Sequence, residues 1–386
     1  MFDIRLFRNQ SGRNSKTPNI HSSLARHSCR GFEFHTRKLD DSQRSAVRET
    51  HDRRRAASFY SSFVIRHSSF WISIVCLLSS LQASPRSRRQ TVTDSPLIVP
   101  SFSKVNLALS ILGRRTDGFH EIRTVFQSID LCDELEFLPS STLEFFCEDL
   151  PDVPSRENLV WKAASALAQV VPEDRGAKIT LRKRIPPGSG LGGGSGNAAA
   201  TLFGLCRFWN LSMSQQQLHS LAAQLGSDVP FFLYGGTALG IGRGDEIYPL
   251  PELPSANLVV VVPSVHISTA EAYRAVSLGL TSPRPAHKIQ RFCGQLRKGT
   301  SCLTEIFNDF ETSILPAYPA IREARDFLID LGATAALLSG SGSSVFGFFR
   351  DEESALAASR AAGRGTWRVF PAKTLSSAEY FQQMSG

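Results

Sequence analysis

The chain carries two kinds of hydrophobic pattern, and both begin near residue 95. Runs rich in β-branched and aliphatic residues, separated by glycine and proline, are typical of strands. They lie at 95–100, 104–112, 125–138, 178–185 and 258–263. The last run holds four consecutive valines, which favours a buried strand. We therefore expect a framework of β-sheet.

Apolar residues at helical spacing mark a second set of segments. These segments are 158–171, 197–209, 214–225, 269–278 and 321–331. Ser214 and Gln217 form a capping-box pattern at the start of the third segment, and Gly226 follows it as a stop signal. A strand, a loop and a second strand are expected over 338–349. This mixture of strands and helices indicates an α/β protein.

The residues before this pattern have a different composition. Residues 1–90 contain 17 serines and lack sustained apolar periodicity until Phe70, so we interpret 1–94 as a disordered basic extension. The apolar run 70–81 is shorter than the ~18 residues of a membrane span. Three interpretations stay open: an organelle transit segment, a weak membrane anchor, or an extension translated from a wrongly placed start, which we favour.

The formal net charge of +8 is concentrated in the same extension. Residues 1–90 hold 17 Lys and Arg against 6 Asp and Glu, which leaves 26 against 29 for the remainder. The folded part is slightly acidic, so we expect it to bind no nucleic acid and to have no stable membrane insertion. A non-catalytic protein that binds RNA, DNA or a membrane surface through the basic extension is the alternative from another class.

The cysteines give information on the cellular compartment, and the chain length on the number of domains. The seven cysteines are scattered and never in a C-x-x-C spacing, which argues against a disulfide framework or a zinc site. We expect reduced thiols and a cytoplasmic location, or a plastid if 1–94 is a transit segment. The length allows two domains. We place their boundary after the proline-rich stretch 249–255, giving domains at 95–255 and 256–386.

The most informative segment runs from Pro187 to Ala198 and holds six glycines. It lies between a predicted strand and a predicted helix. Glycine leaves backbone N–H groups free to surround an anion at a helix N-terminus, so the segment predicts a phosphate-binding loop. A flexible linker is the alternative, although linkers rarely precede a helix with alanine-rich packing.

Two other phosphate-binding patterns are not favoured. Gly188–Gly193 satisfies G-x-G-x-x-G, but the segment before it is charged and ends in two prolines. No acidic residue ends a second strand about 20 positions further on, as ribose recognition in a dinucleotide fold needs. A Walker A loop is excluded because no Gly-Lys-Ser or Gly-Lys-Thr follows the glycines.

Three segments together resemble the signatures of the GHMP kinases. They are Ser101–Leu109, Pro187–Ser195 and Leu338–Phe346, in that order, and the resemblance spans roughly 97–373. It implies the GHMP kinase fold, of α/β (α+β, two-layer) class, with an N-terminal ribosomal-protein-S5-like domain and a C-terminal ferredoxin-like domain. It also implies ATP and Mg²⁺ as cofactors, and an active site in the cleft between the domains.

Two further segments, Gly113–Glu121 and Gly226–Phe232, resemble one branch of that superfamily. Its members phosphorylate the 2-hydroxyl of 4-diphosphocytidyl-2-C-methyl-D-erythritol in the non-mevalonate isoprenoid pathway. The resemblance therefore implies this small molecule as the acceptor substrate. Another branch, acting on homoserine, mevalonate or a sugar, is the alternative. A monomer or a homodimer is expected.

The resemblance also implies catalytic roles. Asp228 is the general base on the substrate hydroxyl, and Lys104 keeps that carboxylate ionised and stabilises developing charge. Without the resemblance, Asp228 is equally a carboxylate favoured by a helix dipole beside Pro230, and Lys104 a solvated lysine at a strand end. The sequence does not identify ligands for Mg²⁺.

Substrate recognition is expected from four residues. Phe119 and Tyr273 are predicted to stack on the cytosine, and His120 to hydrogen-bond its edge. Asn106 is expected to contact the substrate. The family usually has tyrosine at position 119, so this chain keeps the stacking surface and lacks the hydroxyl. Core packing of the aromatic residues, and a turn role for Asn106, are the alternatives.

The resemblance implies that ATP binds to the glycine-rich segment Pro187–Asn197, which we call the phosphate loop. Its predicted binding residues are Pro187, Gly188, Ser189, Gly190, Leu191, Gly192, Gly193, Gly194, Ser195, Gly196 and Asn197. Many relatives carry serine at position 196, so altered nucleotide affinity is expected. A further glycine turn, Gly340–Gly342, is expected to back the site, with a plain hairpin turn as the alternative.

Overall fold

The computed structural model describes residues 96–149, 154–171, 175–277, 287–298, 302–363 and 366–386. They belong to one compact unit. The predicted disordered extension and the apolar run 70–81 lie outside the described residues. No helix in the described ranges has both the length and the apolar character that a membrane span requires.

The first sheet has seven strands. They are β1 (Leu97–Arg114), β2 (His120–Leu138), β3 (Leu143–Phe146), β4 (Ala177–Arg182), β5 (Thr237–Gly242), β6 (Glu246–Pro249) and β8 (Phe307–Asn308). The main order is β3-β4-β2-β1-β8, and β5 pairs with the first half of β2 and carries β6 on its other edge. Most neighbours are antiparallel, while β1 with β8 and β3 with β4 are parallel.

The hairpin of β1 and β2 is the longest pairing in this sheet. The sequence predicts two short strands at 95–100 and 104–112, whereas the structure has one continuous strand over Leu97–Arg114. Three register irregularities divide it, after Phe102, Asn106 and Ile111. Such bulges re-aim side chains within a strand, so the interruptions in the sequence pattern mark bulges and not strand ends.

The second sheet has four antiparallel strands in the order β11-β7-β10-β9. They are β7 (Asn257–Val262), β9 (Ala335–Leu338), β10 (Val345–Phe349) and β11 (Arg368–Lys373). Both faces of β7 are buried: Leu258 and Val260 join one apolar cluster, Val259 and Val261 another. The prediction of a buried strand is therefore confirmed.

The helices cover these sheets. They are α1 (Leu159–Val170), α2 (Gly193–Phe208), α3 (Gln215–Leu225), α4 (Thr269–Ser277), α5 (His287–Arg297), α6 (Glu311–Ala317), α7 (Pro319–Asp330), α8 (Glu352–Ala362) and α9 (Ser377–Ser385). Buried residues of α1, α2, α3 and α9 form one core with the first sheet. Those of α4, α6, α7 and α8 form another core against the second sheet. Buried residues of α5 pack in a third cluster that contains residues of both sheets.

The predicted helices are present, with differences at their ends. Both hydrogen bonds of the capping box formed by Ser214 and Gln217 are present. Helix α2 begins at Gly193, four residues before the predicted start, because the glycines of the phosphate loop themselves form its first turn. Strand β4 ends at Arg182 and not at Ile185, since the backbone beyond it hydrogen-bonds to side chains of other segments.

No disulfide joins the described cysteines, and burial strongly raises the pKa of two of their thiols. Burial raises the pKa of Cys206 to about 11, and that of Cys293 likewise to about 11. Because the thiolate is the nucleophile, both groups are expected to react slowly at pH 8 and faster as the pH rises toward their pKa.

This expectation is checked by timed iodoacetamide labelling of the native protein at pH 8, read by mass spectrometry of the two peptides. Both cysteines should label at least roughly ten times more slowly than in the urea-unfolded chain, where their pKa returns to about 8.5. Equal rates in the two states would contradict the burial that the structure gives these thiols.

Candidate active site

A cleft of about 380 Å³ lies where the phosphate loop faces the turn Gly340–Gly342. Its lining comes from residues on both sides of the boundary that the sequence predicts at 255. Lys104, Asn106 and Asp228 line it together with Tyr273. Side chains from three distant parts of the sequence, at 104–106, 228 and 273, therefore meet in one cavity.

A buried carboxylate fixes the start of the phosphate loop. The side chain of Asp133, on β2, has no exposed surface and pairs with the ammonium group of Lys183. It also accepts backbone hydrogen bonds from Arg184 at 2.7 Å and Ile185 at 2.8 Å. Since a buried carboxylate must keep such partners, it holds the chain that leads into the loop in one place.

The loop itself depends on left-handed backbone. Gly188, Gly190 and Gly192 have φ of 65°, 82° and 69°, which side-chain-bearing residues rarely adopt. Gly192 is the N-cap of α2. The first backbone N–H groups of a helix have no partner within it, and Gly193, Gly194 and Ser195 line the cleft. This arrangement is suited to binding a phosphate group.

The turn Gly340–Gly342 is bonded to the phosphate loop. The hydroxyl of Ser339 donates to the carbonyl of Gly190 at 3.0 Å, and the backbone N–H of Ser344 donates to the carbonyl of Ser189 at 3.0 Å. A Cβ on Gly190 would come within 2.2 Å of the Ser339 carbonyl oxygen. The two glycine segments therefore form one wall, which a plain hairpin turn would not require.

Lys104 is the charged centre of the cleft. It is 2% exposed, and its Nζ donates to Asn106 Oδ1 at 2.7 Å and to the Gly190 carbonyl at 3.0 Å. Nζ also lies 3.4 Å from Asp228 Oδ2 and 5.5 Å from the centre of the Phe126 ring. The alternative of a solvated lysine at a strand end does not fit this burial.

Asp228 lies in the turn between α3 and a short 3₁₀ helix, Pro230–Leu233. Its side chain is 34% exposed, so one side meets Lys104 while the other faces the cleft. A carboxylate so placed can accept a proton from a bound hydroxyl. Asn106 is oriented by a hydrogen bond that it donates to Thr124 Oγ1 at 2.8 Å, and both residues line the cleft.

The two aromatic residues predicted to stack on the cytosine, Tyr273 and Phe119, contact different side chains in the protein. The rings of His120 and Tyr273 are stacked, with centroids 4.5 Å apart and planes within 15°. Phe119 is 51% exposed, and the guanidinium of Arg243 lies 5.0 Å from its ring centre. Arg243 is held in turn by Asp245, with Nε and Oδ2 3.1 Å apart. Phe119 therefore has one supported face and an exposed ring, which core packing would not give.

Burial shifts the titration of both stacked rings. It lowers the pKa of His120, and the positive charge of Arg114 lowers it further, so the imidazole is neutral at pH 7. Burial also raises the pKa of Tyr273 well above its ordinary value, with a contribution from the carboxylate of Asp228. Both rings are thus uncharged stacking surfaces near neutral pH.

The predicted nucleotide-binding residues divide into two groups. Pro187–Gly190 and Gly192–Ser195 line the cleft. Leu191, Gly196 and Asn197 are buried behind it, and Asn197 Oδ1 accepts a hydrogen bond from Ser101 Oγ at 2.6 Å. The buried three therefore contact neighbouring protein segments, while the other eight face the cavity.

Some site residues were missed from the sequence. Asn308, at the end of β8, donates to the carbonyls of Leu338 at 2.9 Å and Gly340 at 2.7 Å, which fixes the second glycine turn. Thr124 and Asp133 also went unrecognised. Asp133 lies within the predicted strand 125–138, where the sequence gives no sign that a polar residue faces inward. Thr124 directly precedes that strand, and Asn308 lies outside every predicted element. Among the described residues, no group of three His, Cys, Asp or Glu side chains could hold a metal ion.

Comparisons with known proteins give the class of protein. Family models described as "GHMP kinases N terminal domain" and "GHMP kinases C terminal" match residues 158–236 and 300–368. A crystal structure of homoserine kinase from Cytophaga hutchinsonii is similar in fold, with a TM-score of 0.59 at 19% identity over 75% of this chain and 98% of that one. The chain has the fold of the GHMP kinases, as predicted.

Curated relatives give the family within that class. The 4-diphosphocytidyl-2-C-methyl-D-erythritol kinase of Solibacter usitatus is 41% identical, over 69% of this chain and 85% of the relative. That of Chlorobium limicola is 44% identical over 67% and 91%. A crystal structure of such a kinase is 34% identical with a TM-score of 0.63, covering 72% of this chain and 99% of that one. The chain belongs to the 4-diphosphocytidyl-2-C-methyl-D-erythritol kinase family.

Packing explains the departure at Gly196. A Cβ at this position would lie 2.5 Å from the carbonyl oxygen of Phe102, because α2 approaches β1 closely there. Gly196→Ser should therefore lower the free energy of unfolding by roughly 1–3 kcal/mol, the usual cost of overpacking. Urea unfolding followed by circular dichroism measures this change.

Gly194→Ser is the matched control, because Gly194 lies two positions before Gly196 in the first turn of the same helix. Its added Cβ would meet Leu159 Cδ1 at 3.5 Å, an ordinary contact. We expect its stability to stay close to that of the wild type. Equal stability of all three proteins would contradict the tight approach of α2 to β1.

Proposed function

We propose that this protein transfers the γ-phosphoryl group of ATP to the 2-hydroxyl of 4-diphosphocytidyl-2-C-methyl-D-erythritol, giving the 2-phosphate and ADP. The observation that carries the proposal is the pairing of Lys104 with Asp228, 3.4 Å apart, in a cleft walled by two glycine segments. The family membership supports this acceptor.

The chemistry requires a positioned hydroxyl, a proton acceptor and positive charge near the moving phosphoryl group. Asp228 accepts the proton as the substrate oxygen forms its bond to the γ-phosphorus and the bond to the β,γ-bridging oxygen breaks. Lys104 pairs with this carboxylate and stabilises the charge that develops on the phosphoryl oxygens. Its contacts to Asn106 and Gly190 hold it in that geometry before substrate binds.

The phosphate loop is proposed to hold the triphosphate through the backbone N–H groups at the start of α2. Mg²⁺ normally binds through one or two protein oxygens plus substrate phosphates, so the lack of a dedicated acidic cluster in the described segments is compatible with it. Ser195 and Asp228 offer such oxygens. When bound, the ion would neutralise phosphate charge.

Cytosine recognition is proposed for Phe119, His120 and Tyr273. Because His120 is neutral near pH 7, it can both donate and accept hydrogen bonds at the edge of the base. Phe119 offers an exposed ring that Arg243 supports. These residues would serve no purpose for homoserine or mevalonate, whose kinases share only the fold with this chain.

We also propose that the chain divides into two domains at residue 255, a division that is consistent with this function. The family models match on either side of that position. On this division, the phosphate loop, Lys104 and Asp228 belong to 95–255, while Tyr273 and the turn Gly340–Gly342 belong to 256–386. The substrates would then bind between the two parts.

Asp228→Asn should abolish most turnover, with kcat reduced by roughly 10²–10⁴-fold, because the amide cannot accept the proton. Lys104→Met should give a loss of roughly 10²–10³-fold. Coupled ADP release with ATP, Mg²⁺ and 4-diphosphocytidyl-2-C-methyl-D-erythritol measures both. Asp326→Asn, at an exposed surface pair, is the control and should retain wild-type kcat.

Either of two results would count against this assignment: an Asp228→Asn variant with near wild-type kcat, or a wild-type protein that phosphorylates homoserine or mevalonate and not the cytidine substrate. The first result would show that Asp228 is not the general base. The second would keep the kinase chemistry and change the acceptor.

Phe119→Ala should raise KM for the cytidine substrate by roughly 5- to 150-fold, since stacking of one base on an aromatic ring contributes ~1–3 kcal/mol. KM for ATP and kcat should change little. Phe146→Ala, which removes another exposed phenylalanine on β3, is the matched control. An unchanged KM for the acceptor in Phe119→Ala would show that this ring does not stack on the base.

A further inference from the structure

His266 lies directly against the phosphate loop. It belongs to the connection between β7 and α4, and it lines the cleft. A Cβ on Gly188 would be 2.7 Å from its Cε1 and 3.1 Å from its Nδ1, so the imidazole covers the left-handed residue at the mouth of the loop. Helix α4, which follows the connection, reaches the other glycine turn, because the hydroxyl of its first residue, Thr269, lies 3.4 Å from that of Ser341. The connection and the start of α4 therefore border both glycine segments.

The charge of the cleft makes this position important. Among the described residues that line it, Lys104 and His266 are the two whose side chains can carry positive charge. Lys104 is already engaged with Asn106, Gly190 and Asp228. The ring of His266 is exposed and makes no side-chain hydrogen bond within the described segments. A polyphosphate carries several negative charges, and charged donors make the strongest hydrogen bonds to it.

A carboxylate keeps negative charge close to this histidine. Glu271, in the first turn of α4, accepts hydrogen bonds from the side chain and the backbone of Ser268. These bonds lower the pKa of Glu271, and the nearby positive charges of Arg274 and His266 add to the effect. Glu271 thus stays ionised near neutral pH.

We propose that His266, where its ring borders Gly188, binds the phosphate chain of the nucleotide by donating a ring N–H to a phosphate oxygen. The inference rests on the proposed function, since it assumes that the phosphate loop holds a nucleotide. It gives the polyphosphate a second side-chain donor, alongside Lys104.

The diphosphate of the acceptor substrate offers the same chemistry. The position of the ring favours the nucleotide, because it contacts Gly188 of the loop itself. Of the three residues proposed for the cytosine of the acceptor, Tyr273 lines this cavity, whereas Phe119 and His120 do not. Binding of each substrate therefore has to be measured separately.

The test compares His266→Phe with His266→Lys. Phenylalanine keeps a flat ring against Gly188 and removes both nitrogens, while lysine keeps a charged donor. Titration calorimetry with ADP, in the absence of acceptor, should show binding weakened by roughly 10-fold in His266→Phe, the loss of one charge-assisted hydrogen bond. His266→Lys should bind ADP within about threefold of wild type, on the same reasoning.

Adenosine is the control ligand, because it lacks phosphate. Its affinity should be equal in wild type and His266→Phe if the lost contact is to phosphate, whereas a loop disturbed by altered packing would weaken both ligands. KM for the acceptor should stay unchanged in both variants.

Three results would overturn the proposal: unchanged ADP affinity in His266→Phe, an equal loss for ADP and adenosine, or a rise in acceptor KM alone. Direct binding of ADP does not depend on turnover. If the wild-type protein binds ADP but fails to phosphorylate the cytidine substrate, the proposed acceptor is wrong while the role of His266 is still tested.

Discussion

The burial of one ammonium group constrains the rest of this site. Lys104 is almost fully enclosed, and a buried charge is tolerated only where partners replace its hydration. Those partners come from three places: Asn106 on the same strand, the carbonyl of Gly190 in the phosphate loop, and Asp228 after α3. A displacement of any of them would leave the lysine without compensation. The same contacts that make its burial possible therefore set the position of the proposed base relative to the loop.

A second constraint is mutual support between glycine segments. The carbonyl of Gly190 accepts hydrogen bonds from both Lys104 and Ser339, so it joins the charged centre to the second glycine turn. Asn308 fixes that turn from its other side through the carbonyls of Leu338 and Gly340. Such oriented backbone groups need no large rearrangement when an anion binds, which is the physical basis of preorganised phosphate recognition. The rigidity of the site comes from bonds between loops as much as from the loops themselves.

The sequence predicted which helices and strands form better than it predicted the residues at which they begin and end. The valine run of β7 and the capping box of Ser214 were recovered because each depends on local pattern. The continuity of β1 was not, because its bulges imitate strand ends in the pattern. Family motifs identified Lys104 and Asp228 as candidates. Their proximity could not be predicted from local pattern, because the two residues are 124 positions apart in the sequence. Buried polar residues such as Asp133 and Asn308 went unnoticed, since only the tertiary fold decides that a polar residue in a strand faces inward.

Helix α9 completes the packing around the site late, because it is the last element of the chain. The hydroxyl of Tyr380, fully enclosed in the first core, donates at 2.8 Å to the carbonyl of Phe232, within the 3₁₀ helix that follows Asp228. The two residues are 148 positions apart. Long-range contacts of this kind form slowly and only after the intervening chain is available. During synthesis, the segment carrying Asp228 therefore leaves the ribosome well before the helix that braces it. A nascent chain that ends short of Tyr380 holds both proposed catalytic residues, Lys104 and Asp228, but lacks the hydrogen bond that supports the 3₁₀ helix after Asp228.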